Sequence, residues 1–132
     1  MGIVTGEMAV FRVLIVEDEM LIAIEIEDAL RAFGYDVVGP TGKLETALQL
    51  ATDEMIDAAI LDVTIRGGQV FPVAEKLLER GIPFILASGY GGWALPDGMR
   101  DLPRLIKPFT SEALNAEIIA LRKEYDRRKT TV

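Results

Sequence analysis

Short, β-branched apolar runs alternate with stretches of helical periodicity along almost the whole chain, and this alternation narrows the fold more than any other feature. Phe11 to Val16 reads as a buried strand, and Met20 to Phe33 as a helix with Ile22, Ile26, Ala29, Leu30 and Phe33 on one face. Gly34 stops that helix, and Tyr35 to Gly39 reads as a second strand closed by Gly39-Pro40. A second helix covers Leu44 to Ala51, and Ala58 to Leu61 is a third strand, apolar throughout. Thr64 to Gln69 reads as a loop, Phe71 to Arg80 as a third helix, and Pro83 to Ala87 as a fourth strand. Leu105-Ile106 is a short fifth strand. Thr110 caps a last helix whose buried stripe is Leu114, Ile118, Leu121 and Tyr125.

One segment breaks the rhythm. A helix is due after the fourth strand, but Ser88-Gly89-Tyr90-Gly91-Gly92-Trp93, followed by Pro96, Gly98 and Pro103, makes a poor one. The expectation is a loop with at most a short helix. Five strands alternating with helices in 132 residues predict one α/β domain, an open parallel sheet with helices on both faces. A chain of this length buries roughly two-thirds of its unfolded surface, enough for a core without staples.

Composition then limits the chemistry. The chain has no Cys and no His, which excludes disulfides, thiol nucleophiles, Cys or His metal sites and imidazole bases. With 14 Lys+Arg against 21 Asp+Glu, the net charge of −7 argues against a general nucleic-acid surface. No apolar run reaches the ~20 residues of a membrane-spanning helix. No signal peptide or myristoylation pattern is present, so a cytoplasmic protein is expected. The basic stretch Arg122 to Lys129 reads as a solvated helix end.

In open parallel sheets the functional site lies beyond the carboxyl ends of the strands. Four of the five strands end there in polar groups: Glu17-Asp18-Glu19, Asp62, Ser88 and Lys107-Pro108. Each has an ordinary reading alone, as helix caps, turn residues or a solvated cation. Together they form a cluster. Carboxylates ~5 Å apart repel by about 3 kcal/mol per pair at an effective dielectric of ~20. A hard divalent cation relieves this, and a lysine and a hydroxyl beside it complete a cradle for a phosphoryl group.

The ordered set Val13-Leu14-Ile15-Val16-Glu17-Asp18-Glu19, Leu61-Asp62-Val63, Leu86-Ala87-Ser88-Gly89-Tyr90 and Ile106-Lys107-Pro108-Phe109 resembles the receiver domains of bacterial two-component response regulators. The resemblance runs from about Val10 to Tyr125. It implies a CheY-like, flavodoxin-like, doubly wound fold of five parallel strands and five helices, the fourth helix here short or irregular. It divides the chain into an N-terminal extension (1–9), a receiver domain (10–127) and a tail (128–132), with no output domain.

It also implies roles. Asp62 would be the phosphoacceptor, and Asp18, Glu17, Asp62 and the Thr64 backbone carbonyl would hold Mg²⁺. Lys107 and Ser88 would contact the phosphoryl oxygens, and family members commonly have a cis peptide at the bond matching Lys107-Pro108. The expected partners are a sensor histidine kinase or phosphotransfer protein and an unknown downstream protein. No membrane or direct DNA contact is expected, and the oligomeric state is monomer or weak dimer. The domain would accept phosphate without being an enzyme in the usual sense.

Three positions depart from the family pattern. Arg66 stands where most receivers have Pro, Arg104 where the strand-five aromatic switch usually stands, and the region of helix four is rich in Gly and Pro. These features resemble a subgroup of receivers, notably alphaproteobacterial, in which Ser88 and Tyr90 would carry the switch. Arg66 reads as solvated, and Arg104 is left open. Met20, Leu21 and Ile24 fall off the buried stripe of the first helix and form a candidate docking strip for a kinase helix pair. Two other functions are weighed. A phosphatase of the haloacid dehalogenase type would want a second Asp where Thr64 stands. An unphosphorylated pseudo-receiver would keep the fold as a binding module.

Overall fold

The computed structural model describes residues 10–89, 97–99 and 101–130. In chain order the elements are β1 (Arg12–Val16), α1 (Met20–Ala32), β2 (Asp36–Thr41), α2 (Leu44–Asp53) and β3 (Ala58–Asp62). A hairpin of β4 (Thr64–Ile65) and β5 (Gly68–Gln69) follows, then α3 (Phe71–Glu79), β6 (Phe84–Ser88), a 3₁₀ turn (Asp97–Met99), β7 (Arg104–Ile106) and α4 (Ser111–Thr130). The main sheet has the order β2-β1-β3-β6-β7, and every neighbouring pair in it is parallel.

Side chains alternate across the strands, so the sheet divides the interior in two. Leu14, Val16, Ala59, Leu61 and Leu86 face one way and pack with Ala47, Ala51, Val73 and Leu77 of α2 and α3. Val13, Ile15, Ala58, Ile60 and Ile85 face the other way, against Ile26, Leu30, Leu114 and Ile118 of α1 and α4. β3 lies in the middle and is buried along its whole length, as its unbroken apolar run predicts. The expected stripes of α1, α2 and α4 are in place; the Tyr125 side chain lies outside the described ones. The Thr110 hydroxyl accepts the Ala113 N–H at 3.0 Å and caps α4.

Two expectations are corrected. β2 does not close at Gly39-Pro40 but runs on to Thr41 through a cis Gly39-Pro40 bond, with a shift in register opposite Leu14 and Val16. A proline is tolerated there because β2 is an edge strand whose outward N–H groups need no partner. Thr64 to Gln69 is not a plain loop: Thr64 pairs with Gln69 and Ile65 with Gly68 in a small antiparallel ladder. Gly67 and Gly68 turn it at φ 98° and 138°, backbone that favours glycine. Most of the segment expected to hold a short or irregular fourth helix, residues 90–96 and 100, lies outside the described residues; within them Asp97–Met99 forms a 3₁₀ turn.

Candidate phosphoryl and metal site

Burial of β1 and β3 on both sides fixes their ends, and the acidic residues follow directly from those ends. Glu17 comes immediately after β1 and is 3% exposed; Asp62 is the last residue of β3 and is 8% exposed. One ligand oxygen from each of Glu17, Asp18 and Asp62 lies within 4.8 Å of the others. Helix capping does not account for these acids. Glu19 is the N-cap of α1 but makes no side-chain cap hydrogen bond, and Glu17 Oε2 accepts the Glu19 N–H at 3.1 Å.

Lys107 reaches in from the end of β7. Its Nζ stands 2.7 Å from Glu17 Oε1 and 3.2 Å from Asp62 Oδ2. Parallel pairing of β6 with β7 brings it there, since Ser88 O accepts the Lys107 N–H at 2.8 Å. The Lys107-Pro108 bond is cis.

The electrostatics follow from crowding. Burial pushes the Asp62 carboxyl from its ordinary 3.8 up to about 7, the Glu17 charge adds to the rise, and Lys107 opposes it. Burial works against the Lys107 cation, but Glu17 and Asp62 outweigh it, and the ammonium's pKa lies above its ordinary value. One cation is thus shared among carboxylates that need more positive charge. Glu17 Oε1 is buried and receives no aligned hydrogen bond, although the ammonium is close. Hard oxygen donors, excess negative charge and an under-satisfied oxygen fit a small divalent cation such as Mg²⁺.

The cluster opens into a cleft of about 790 Å³ that runs between α1 and the start of α4. Ser88 and Thr64 line it beside Asp18, Asp62 and Lys107; Ile22, Ile26, Phe109 and Leu114 form its apolar flank. The structure therefore gathers Glu17, Asp18, Asp62, Thr64, Ser88 and Lys107 at one place. Tyr90, the other expected switch residue, lies outside the described residues. Met20, Leu21 and Ile24 do not line the cleft; they stand on the outer side of α1, 75%, 79% and 45% exposed. Arg66 is exposed in the hairpin turn, and Arg104 is half-buried on β7, opposite Leu86.

No family model matches the chain. The solution structure of SdrG from Sphingomonas melonis Fr1 does: 43% identical, covering 85% of this chain and 96% of SdrG, with a TM-score of 0.75. The chain belongs to the response-regulator receiver family. This receiver also matches the receiver domain of the response regulator PhyR from Erythrobacter litoralis, at 25% identity, 88% and 92% coverage and a TM-score of 0.77. The transcriptional regulatory protein PdtaR of Mycobacterium tuberculosis is 32% identical over 103 residues, which is 75% of this chain and 50% of PdtaR. The receiver thus spans about half the length of the curated relatives it matches. No helix among the described residues is long and apolar enough to cross a membrane.

Sequence reasoning missed one part of the site's surroundings. Strand β2 is not among the four strands whose polar ends the sequence singles out, yet Thr41 O, at its end, accepts the Glu17 N–H at 2.9 Å. The Gly39-Pro40 pair hid this continuation. The signal available was the run Gly39-Pro40-Thr41-Gly42, whose two glycines permit close backbone approach.

Proposed function

We propose that this receiver takes a phosphoryl group onto Asp62 from a phosphohistidine of a kinase or phosphotransfer protein. The observation that carries the reading is Lys107, whose ammonium spans Glu17 and Asp62 at the bottom of an open cleft. An Asp62 carboxylate oxygen attacks phosphorus as the phosphorus–nitrogen bond of the donor breaks. The bonding electron pair returns to the imidazole nitrogen, which takes a proton, and Asp62 carries an acyl phosphate. Glu17, Asp18, Asp62 and the Thr64 carbonyl would hold Mg²⁺, which would supply charge neutralisation for the phosphoryl oxygens.

The chain's own residues do the remaining work. Lys107 turns its ammonium from Asp62 toward the new phosphoryl oxygens, and Glu17 would then be free to serve the metal. The Ser88 hydroxyl donates to one of those oxygens, and its movement toward them is the switch. That SdrG has a BeF3-activated conformation, 44% identical to this chain with a TM-score of 0.72, supports such a switch. Met20, Leu21 and Ile24 stand beside the acidic loop and offer an apolar strip to a donor's helices. The domain is a phosphoacceptor that changes its protein contacts, not a multiple-turnover catalyst.

The test is intact mass after incubation with Mg²⁺ and acetyl phosphate, for wild type and Asp62→Asn. One added phosphoryl group on wild type alone supports the reading. Equal gain by both proteins removes Asp62 as acceptor. If neither gains it, a phosphorylated histidine phosphotransfer domain is used as donor. Failure there too makes the chain a binding module without phosphorylation.

A further inference from the structure

The segment between β2 and α2 carries no charged or nucleophilic group at the site, yet it is wedged against the metal loop. Thr41 O accepts the Glu17 N–H at 2.9 Å. Gly42 comes so close to the acidic loop that a Cβ there would lie 2.5 Å from Asp18 Cα, 2.7 Å from Asp18 Cβ and 3.1 Å from Glu17 O. Two of these three neighbours are backbone, so no side-chain rotation relieves the clash.

The segment is held from its other side as well. Gly42 O accepts the Arg66 N–H at 3.0 Å, and Arg66 O accepts the Leu44 N–H at 2.9 Å. Lys43 and Arg66 thereby form a parallel bridge. Arg66 belongs to the turn of the hairpin that carries Thr64. A proline at position 66 would have no N–H to give. The segment 41–44 is therefore a strut between the metal loop and the hairpin, with Gly42 at the point of closest approach.

We propose that Gly42 is a positioning residue for the cation site: by permitting this contact it sets the Asp18 backbone, and with it the reach of the Asp18 carboxylate. The inference rests on the Mg²⁺ reading above. To bring a Cβ at 42 to ordinary contact distance, the Asp18 backbone or the end of β2 must move by roughly 1 Å. Mg²⁺ demands near-octahedral oxygen geometry at about 2.0–2.1 Å, so a ligand displaced that far is lost or strained.

The experiment titrates Mg²⁺ by calorimetry into wild type, Gly42→Ala and Gly34→Ala. Gly34 has φ 89° with open space around its Cβ position, so its substitution strains the chain far from the site and serves as a stability control. Gly42→Ala is expected to weaken Mg²⁺ at least about tenfold while still unfolding cooperatively. Its Glu17 and Asp18 amide resonances should shift in the metal-free protein. Gly34→Ala should lower the melting temperature and leave Mg²⁺ affinity and those resonances unchanged. A folded Gly42→Ala that binds Mg²⁺ like wild type overturns the positioning role alone. Absence of Mg²⁺ binding by wild type overturns the metal reading itself. If Gly42→Ala does not fold, Arg66→Pro and Arg66→Ala decide: the first removes the N–H that holds the strut, the second keeps it. Weaker Mg²⁺ binding in Arg66→Pro alone supports the strut, and equal binding by the two rejects it.

Discussion

Lys107 stands closer to Glu17, at 2.7 Å, than to Asp62, at 3.2 Å. The lysine thus has a deeply buried carboxylate as its nearer partner, and Asp62 can be modified without stripping it of its counter-ion. It also means that Lys107 supports the resting fold as well as any chemistry at Asp62.

Replacing Lys107 should therefore destabilise the metal-free protein. Lys107→Met leaves Glu17 buried with no cation, and breaking such a pair costs about 3 kcal/mol. The lysine's pKa is raised on folding, so its contribution is present below its unfolded value near 10.5 and fades as pH rises above that. Urea unfolding in EDTA at pH 7 measures the loss, and a midpoint unchanged from wild type would contradict it. Added Mg²⁺ should recover part of the loss in the variant.

Asp62→Asn should do the opposite at neutral and higher pH. The folded protein holds the Asp62 proton up to about pH 7, the unfolded chain only to 3.8. Between those values the folded state binds more protons, so stability falls as pH rises across that window. The amide removes this penalty, while Glu17 still faces Lys107. Discounted for solvent at the mouth of the cleft, the gain is about 1–2 kcal/mol at pH 8 and vanishes near pH 4. Thermal melts of both proteins in EDTA across pH 4–9 show it; wild type melting at or above the variant at pH 8 would refute it.

Cation binding should release a proton where Asp62 is still protonated. Calorimetry of Mg²⁺ binding in two buffers of different ionisation heat is expected to give close to one proton at about pH 6 and close to none at about pH 8.5. Buffer-independent heats at both pH values would mean that Asp62 is ionised without the metal.

The outer strip of α1 should matter to a protein donor and not to a small one. Leu21→Asp is expected to slow transfer from a phosphorylated histidine phosphotransfer domain by tenfold or more. Labelling by acetyl phosphate should stay at the wild-type rate. Equal slowing with both donors would place the effect in the site instead of the docking surface.

The sheet, its helices and the convergence of the polar strand ends were legible because each rests on a local signal. The apolar run Ala58 to Leu61 shows where β3 ends, and Asp62 follows from it. The stretch Thr64 to Gln69 was not legible, since two-residue strands leave no periodicity and Gly67-Gly68 suits a loop and a tight hairpin equally. The end of β2 was misread for a tertiary reason: whether a proline breaks a strand depends on whether that strand lies at the sheet's edge. The Glu17–Lys107 contact was missed because the resemblance directed Lys107 to a phosphoryl group, and its resting partner depends on side-chain reach that sequence does not encode.

The division of the interior by the sheet has a further consequence. The apolar strip and the cleft border the core beneath α1 and α4, whereas the hairpin, through Val63 and Ile65, belongs to the core beneath α2 and α3. Substitutions in separate, non-touching cores add nearly independently. A descendant of this sequence is therefore free to drift toward a new donor by repacking one compartment while the other, and the geometry behind Asp62, stays as it was inherited.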